Sequence, residues 1–588
     1  MEEMKIVLGQ INTTPRDFEG NMKQITDCIE ESPDDTDLIV FPEASIPGYL
    51  CQDMLYDLDF INQNLNCLSR LVAKSTSCKA TIVVGYYDKN TKHTGKPFKN
   101  MAAIIKEGKI IAQYQKQLLP FYDVFDEGRY FEAGSDLCVV PIKGENWGIA
   151  ICEDIWNDKN SDDYYYKNNP IKRYAELGIK NIISINSSPY VRDKPEKRYK
   201  TIMNSCEKNE FDIFVYVNQI GGQDELVFDG NSFVISMQDE YVDKAELKIG
   251  GYLVELKERL MQTNPDKNTE TYHSYFYYDE NIMYNLLVLS LKDYIVKNGF
   301  KKVVFGSSGG IDSAVVAAIA CDAIGADNVY AIMMPSVNSS EGSVKDAKKL
   351  HENLGCHELS IPINHQQMLE SISNTNEKLD FPEQNPVAIE NLQARLRGMI
   401  VMHYSNSYNL LPLTTGNKSE LSVGYCTLYG DMCGGRAVIC DLYKTEVYSI
   451  ARYINTMKKC IPANIINKEP SAELSPDQKD KDSLPPYSVL DPLLEGYIEH
   501  YATTWTEYKA YVEKSKKRKG YTEDADMETV TPEVFANIVK KIDISEFKRR
   551  QATPGTKVHE VAFGIGRRLP ITKGTRNSKE LFKENENA

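Results

Sequence analysis

VVFGSSGGIDSAVVAA, residues 303–318, decides the fold of the half of the chain that contains it. VVF is a short apolar run, SSGG a turn, and the residues after Asp312 an apolar helix start. Strand, glycine turn and helix N-terminus together make a phosphate cradle. Gly309 and Gly310 let the backbone approach an anion, and the helix from about Asp312 offers its dipole and unpaired amides. Ser307, Ser308 and Ser313 add hydroxyls. The lysine that ends a GxxxxGK[ST] loop and reaches β and γ oxygens is missing. Asp312 would be repelled by phosphate unless Mg2+ lay between them. Such a loop suits holding a terminal pyrophosphate as a unit, with Mg2+ bridged by carboxylate. Attack then falls on the α-phosphate and pyrophosphate leaves. An attacking carboxylate would become an acyl-adenylate, which a nitrogen nucleophile can open.

Outward from this loop the chain alternates strands and helices. NIMYNLLVLSLKDYIVKNG (281–299) has helical spacing, and 328–336, 357–363 and 410–416 read as further strands. That is a doubly wound, parallel-sheet α/β pattern with ligands beyond the strand C-termini. Residues 468–530, rich in Pro, Asp and Lys, read as a mobile segment. Before the loop, 261–279 loses periodicity and reads as linker, giving domains at 1–262 and 280–588 around a linker at 263–279. The first half carries apolar runs at 37–43, 80–87, 147–154, 180–188 and 214–222. It has helical patterns at 21–31 and 62–75, and a hairpin with a Glu-Gly turn at 102–116.

A chain of 588 residues exceeds one core. A net charge of −16 argues against a nucleic-acid or anionic-membrane binder, and leaves room for a small anion held by local basic residues. The basic cluster Lys514, Lys516, Lys517, Arg518 and Lys519 reads as a solvated loop or helix end. Thirteen scattered cysteines without a CxxC pair suggest neither a zinc site nor a disulfide framework, and fit a reducing compartment. The start shows no signal-peptide pattern, and no apolar run approaches the roughly 18 residues of a membrane span. The expectation is a cytoplasmic protein without nucleic-acid or membrane partners.

Gly306, Ser307, Ser308, Gly309, Gly310, Ile311, Asp312 and Ser313 resemble the loop of the N-type ATP pyrophosphatases. Further blocks narrow the resemblance to the NAD synthetase family: 390–400, 411–435, 441–455, 470–487 and 548–568. The resemblance implies an adenine nucleotide α-hydrolase-like fold, ATP with Mg2+, deamido-NAD as substrate and a homo-oligomer. Glu420 offers a second carboxylate for the metal beside Asp312. Thr415 could bond adenine or ribose, and Lys444 and Lys557 could neutralise phosphates. Asn391 and Arg395 lie one helical turn apart and face one way. The resemblance places Asn391, Glu420, Tyr425, Cys426, Thr427, Leu428 and Lys557 near deamido-NAD. It also implies that PSAEL through DSLPPY orders over the site when substrates bind.

Amide synthesis needs ammonia, and the first half offers a source. Cys152 ends the apolar run GIAIC, Glu43 ends DLIVFPE, and Lys116 follows the hairpin. These three can form an amidase site without histidine. Lys116 favours the thiolate and then the oxyanion, while Glu43 accepts the thiol proton and hands it to leaving ammonia. The blocks resemble the nitrilase (carbon–nitrogen hydrolase) superfamily over residues 4–245, which implies an α-β-β-α sandwich. The match adds Glu127 as a glutamate that positions the lysine. Tyr122, Ser188 and Lys194 are its candidates for binding the α-groups of glutamine. The competing enzyme reading is an amide synthetase acting on a purine nucleotide, which would call for a Cys-His-Glu amidase that this half does not display. The non-enzyme reading, a binding-only pseudo-amidase, is disfavoured by the intact Glu43, Lys116 and Cys152.

Overall fold

The computed structural model describes residues 3–158, 166–237, 241–256, 280–379, 385–476, 478–515, 529–564, 566–574 and 581. The chain divides into two compact units, Met1–Tyr278 and Asp279–Ala588. The predicted linker at 263–279 lies outside the described residues.

The first unit holds two six-stranded sheets. In one, Leu38–Val40 pairs in parallel with Met4–Gln10 and with Thr81–Lys89. Gly250–Leu256 closes one edge, and the hairpin Phe98–Lys106 and Lys109–Gln115 the other. In the other, Glu145–Ile151, Asn181–Asn186 and Ile213–Asn218 run parallel, flanked by antiparallel neighbours. Alternate residues of one strand go to different cores. Ile6 and Leu8 pack between the sheets with Val40, Ile149, Ile183 and Val215, whereas Val7 packs outward with Ile25 and Leu71. On the second sheet Ile183 and Val215 point inward, and Ile182 and Phe214 outward against Ile171 and Ile202. Helices Phe18–Glu31 and Leu58–Lys74 cover one outer face; Pro170–Glu176 and Lys194–Asn209 cover the other. The result is an α-β-β-α sandwich. Burial on both faces is why these strands read as unbroken apolar runs.

The second unit has one parallel sheet, ordered His357–Ser360, Val329–Met333, Val303–Gly306, Leu411–Thr414, Arg436–Ala437. The chain begins this sheet at its centre and then turns to opposite edges. The crevice of a doubly wound sheet therefore opens beyond Gly306, where SSGGIDS lies. Among the described residues, no helix is long and apolar enough to cross a membrane.

Two expectations need correction. The run 214–222 is two strands, Ile213–Asn218 and Ile220–Gln223, the second pairing with Leu226–Asp229. The segment 468–530 is not uniformly irregular. Tyr487–Ile498 and Trp505–Ser515 are helices, and Leu490, Leu494 and Tyr508 pack with Phe535 and Ile538 of Pro532–Ile544. Its Pro and Asp residues concentrate before Tyr487, and apolar spacing resumes after Pro486. Lys514 falls in the last turn of Trp505–Ser515; the rest of the basic cluster lies outside the described residues.

Candidate active sites

In the first unit, three strand ends converge. Glu43 follows Leu38–Val40, on a turn so close to the next strand that a Cβ on Gly85 would lie 2.2 Å from the Ala44 nitrogen. Lys116 follows Lys109–Gln115. Cys152 follows Glu145–Ile151 with a left-handed φ of 45°, which turns its side chain off the strand. Asp154 ties two of these ends together. It accepts from the backbone N–H of Gln117 (3.1 Å), Leu118 (2.9 Å) and Ile151 (2.9 Å), and from the Tyr114 hydroxyl (2.9 Å). Burial pushes its carboxyl up to about 6 against these donors. Asp154→Ala would leave three buried amides unmade. It is expected to cost about 2–4 kcal/mol, with a matching fall in denaturation midpoint; an unchanged midpoint would remove Asp154 from this role.

The Lys116 ammonium is fully buried and held by two carboxylates, Glu43 Oε1 at 2.7 Å and Glu127 Oε1 at 2.8 Å. Burial pulls it down, but Glu127 and Glu43 outweigh that and hold it well above its ordinary value. Glu43 also accepts from Asn100 Nδ2 (2.7 Å) and the Ser187 N–H (3.0 Å). The Tyr49 hydroxyl donates to Glu127 (3.0 Å), whose carboxyl burial raises to about 7 against the pull of Lys116. Burial, then Glu43, pushes the Cys152 thiol up while Lys116 opposes. The resting sulfur is thus a thiol, with a carboxylate and an ammonium in its field.

Of the proposed glutamine contacts, Tyr122 donates its hydroxyl to both oxygens of Glu153 (3.2 and 3.0 Å). The Lys194 ammonium lies 4.0 Å from the centroid of the Trp156 ring and also acts on Glu153. Ser188 is elsewhere engaged, its Oγ accepting from Arg198 (3.4 Å), which pairs with Asp229. The sequence reading missed Glu153, which also accepts from Tyr166 (2.9 Å), as well as Asn100 and Ser187. Adjacency to Cys152 was the available signal for Glu153.

In the second unit a cleft of about 630 Å³ opens over the glycine loop. Residues 306–312, Thr415 and Lys444 line it, as do Asn391, Glu420, Tyr425, Cys426 and Thr427. Gly309 has φ 76°, and a Cβ there would lie 2.2 Å from the Ser343 carbonyl oxygen, so the turn requires glycine. Ser313 is buried behind the loop, donating to the Gly310 carbonyl at 3.0 Å. Helix Ile311–Ile324 starts at Gly310.

The predicted metal carboxylates meet at one cation. Lys444 Nζ lies 2.6 Å from Asp312 Oδ2 and 3.2 Å from Glu420 Oε1. Asn417 donates to Asp312 (2.9 Å) and caps the helix that carries Glu420. Burial raises the Glu420 carboxyl to about 8 against the pull of Lys444. Asp480, raised by burial, also acts on Lys444. Among the described residues no group of three or more His, Cys, Asp or Glu is disposed to hold a metal by itself. Mg2+ commonly takes one or two carboxylates and completes its shell with water and substrate phosphates, so the Asp312–Glu420 pair fits that ion in the presence of ATP.

Asn391 accepts from the Thr427 hydroxyl (2.7 Å), and Arg395 donates to the Leu428 carbonyl (3.2 Å), so the two do face the 425–428 run. Leu428 and Lys557 are not among the residues lining the cleft. The Lys557 ammonium donates to the carbonyls of His559 (2.7 Å) and Glu560 (3.0 Å). The expected lid lines the cleft with Ser471–Leu474 and Asp480. Glu473 accepts from Lys468 (2.6 Å) and Ser343 (2.7 Å), and the Leu474 carbonyl from Gln393 (2.8 Å). Asp477 lies outside the described residues.

Residues 5–251 match the carbon-nitrogen hydrolase family and residues 283–552 the NAD synthase family. The class is therefore an amide-hydrolase unit joined to an NAD synthase unit. A glutamine-dependent NAD(+) synthetase of Thermotoga maritima is 37% identical, with 97% of this chain and 99% of that protein covered; one from Acinetobacter baylyi is 36% identical over 98% and 99%. A solved glutamine-dependent NAD+ synthetase from Acinetobacter baumannii, in complex with ADP, is 33% identical with a TM-score of 0.69, covering 98% of this chain and 100% of that one. The chain belongs to the glutamine-dependent NAD(+) synthetase family.

Proposed function

We propose that this ligase amidates deamido-NAD to NAD with Mg-ATP and glutamine by the following division of labour. Cys152 Sγ attacks the side-chain carbonyl of glutamine. Glu43 takes the thiol proton and returns it to the leaving nitrogen, which departs as ammonia. Lys116 stabilises the oxyanion, and water then hydrolyses the γ-glutamyl thioester to glutamate. Glu153 beside the nucleophile supplies a carboxylate for the α-ammonium of glutamine, with Tyr122, Ser188 and Lys194 in the surrounding pocket.

In the other unit the nicotinate carboxylate attacks the α-phosphorus of ATP, and pyrophosphate leaves into the loop 306–313. Ammonia then attacks the acyl-adenylate carbonyl and AMP departs. Thr415 contacts the nucleotide; Asn391, Glu420, Tyr425, Cys426 and Thr427 contact deamido-NAD. Asp312 and Glu420 would hold Mg2+, which neutralises charge on the departing pyrophosphate. We also infer a homo-oligomer, which analytical ultracentrifugation would test.

The observation that carries this reading is the buried Lys116 ammonium shared by Glu43 and Glu127 beside Cys152, an amidase arrangement without histidine. The deciding experiment supplies amide-labelled glutamine, ATP and deamido-NAD. Label in the carboxamide of NAD with AMP and pyrophosphate supports the scheme; ADP and phosphate would refute it. Glu127→Gln leaves Lys116 with one carboxylate and frees it to shift. Glutaminase kcat is expected to fall about 10²-fold, as misplaced catalytic groups do, while ammonium-supported NAD formation persists. Unaltered glutaminase kcat would show that Glu127 does not position the lysine.

A further inference from the structure

Behind the loop that lacks a lysine lies a buried histidine. Ser307 Oγ is 2.8 Å from His351 Nε2, and His351 Nδ1 is 3.0 Å from Glu358 Oε2. Ser307 lines the cleft, whereas His351 on helix Glu341–Leu354 is 1% exposed, and its ring meets the cleft-lining Ser307 on one side and Glu358 on the other.

The chemistry of this chain of contacts is constrained. An ionised carboxylate only accepts, so Nδ1 carries the hydrogen shared with Glu358. In the neutral ring Nε2 is then an acceptor, and the Ser307 hydroxyl must donate to it. In this state Ser307 turns only lone pairs toward the cleft, the wrong polarity for a phosphate oxygen. A protonated ring reverses the order: Nε2–H donates to Ser307 Oγ, and the Ser307 hydrogen turns to the ligand.

We propose that His351 is a positioning residue that takes up one proton when a polyphosphate enters the loop, turning Ser307 into a phosphate donor and placing a positive charge where lysine is missing. The proton arrives from the cleft: the Ser307 O–H bond breaks as an N–H bond forms at Nε2, and Ser307 Oγ regains a proton from a hydronium ion or buffer acid, leaving water or the buffer base behind. Glu358 gives the imidazolium a partner, so the buried charge is paired.

The surroundings leave His351 free to respond. Burial lowers its basicity and Glu358 opposes that, so the ring is neutral at rest near neutral pH. Helix Ile311–Ile324 and strands Val329–Met333 and His357–Ser360 pack against its helix. Their other titratable groups are engaged: Asp312 with Lys444, Asp322 with Lys458 and Tyr284, Tyr330 stacked on His357, and Cys321 with Cys356. A polyphosphate at Ser307 adds negative charge at the Nε2 side of the ring, opposite the Glu358 carboxylate at Nδ1.

The proposal rests on reading 306–313 as the polyphosphate site, and the test separates the two. α,β-Methylene-ATP, which cannot be cleaved at the bond broken in adenylation, is titrated with Mg2+ into the full chain. Calorimetry is run in two buffers of different ionisation heat. At about pH 7.5 wild type is expected to take up roughly one proton per site, and the uptake is expected to fall once the pH drops below the free ring's lowered pKa, where that ring already carries its proton. His351→Gln and Ser307→Ala are each expected to lose this uptake and bind about 5- to 20-fold more weakly. If His351→Gln does not fold, Ser307→Ala alone decides. Binding with the same uptake in wild type and variants overturns the His351 role and leaves the loop reading standing. No binding by wild type overturns both.

Discussion

Cys152→Ala is expected to lower glutamine-supported NAD formation by at least about 10³-fold while ammonium-supported formation persists. The geometry makes the loss selective. Cys152 is the proposed nucleophile of a site whose other members, Glu43 and Lys116, are paired with each other and with Glu127, Asn100 and Ser187. Removing the sulfur leaves that network intact, so the fold should survive. It also removes a thiol that burial holds in its neutral form. Alanine therefore brings no unpaired charge into the core, in contrast to Lys116→Ala, which would strand two carboxylates. The synthase cleft lies in another compact unit and uses none of these residues. Saturating ammonium supplies the nucleophile directly. The measurement is NAD produced with glutamine and with ammonium chloride, in the same preparation of folded variant. If ammonium fails to rescue, the assignment of the two chemistries to two units is wrong.

Much of this was legible because the decisive features are local. SSGGIDS announces itself by backbone needs, and Gly309 does sit where a Cβ would strike Ser343. Cys152, Glu43 and Lys116 each follow an apolar run, and burial on both sheet faces made those runs continuous. What pairs across long sequence distances was not legible. Met4–Gln10 finds its antiparallel partner at Gly250–Leu256, and neither run declares the other. Glu43 takes bonds from Asn100 and Ser187, and Ser307 meets His351; nothing in their spacing connects them. The carbonyls of His559 and Glu560 that accept from the Lys557 ammonium were likewise not readable from the sequence. Composition misled at 487–515, where the Pro- and Asp-rich stretch before Tyr487 obscured two helices with buried apolar faces.

Asp312→Asn and Glu420→Gln should each lower NAD formation about 10²- to 10³-fold with either nitrogen source, the scale of losing one preorganised electrostatic contact to the reacting phosphates. Both carboxylates approach the single ammonium of Lys444, so they already share a point at which one cation is stabilised. Mg-ATP would place a divalent ion and phosphate oxygens there. Each amide variant removes one carboxyl group from that point but leaves Lys444 the other, so the folded state should persist. The effect should therefore appear in catalysis, and specifically in the metal requirement: the Mg2+ concentration for half-maximal rate should rise in both variants. Because the two side chains are proposed to serve one cation, their effects should not add, and the double variant should be no worse than a few-fold below the weaker single one. Glutaminase activity without synthase substrates should stay near wild type, since Asp312 and Glu420 lie in the other unit. Near-normal rates at limiting Mg2+ would remove both residues from the metal assignment. Simple additivity would mean that they act at different points, with Lys444 serving as the structural partner of one and the ATP-bound ion held by the other.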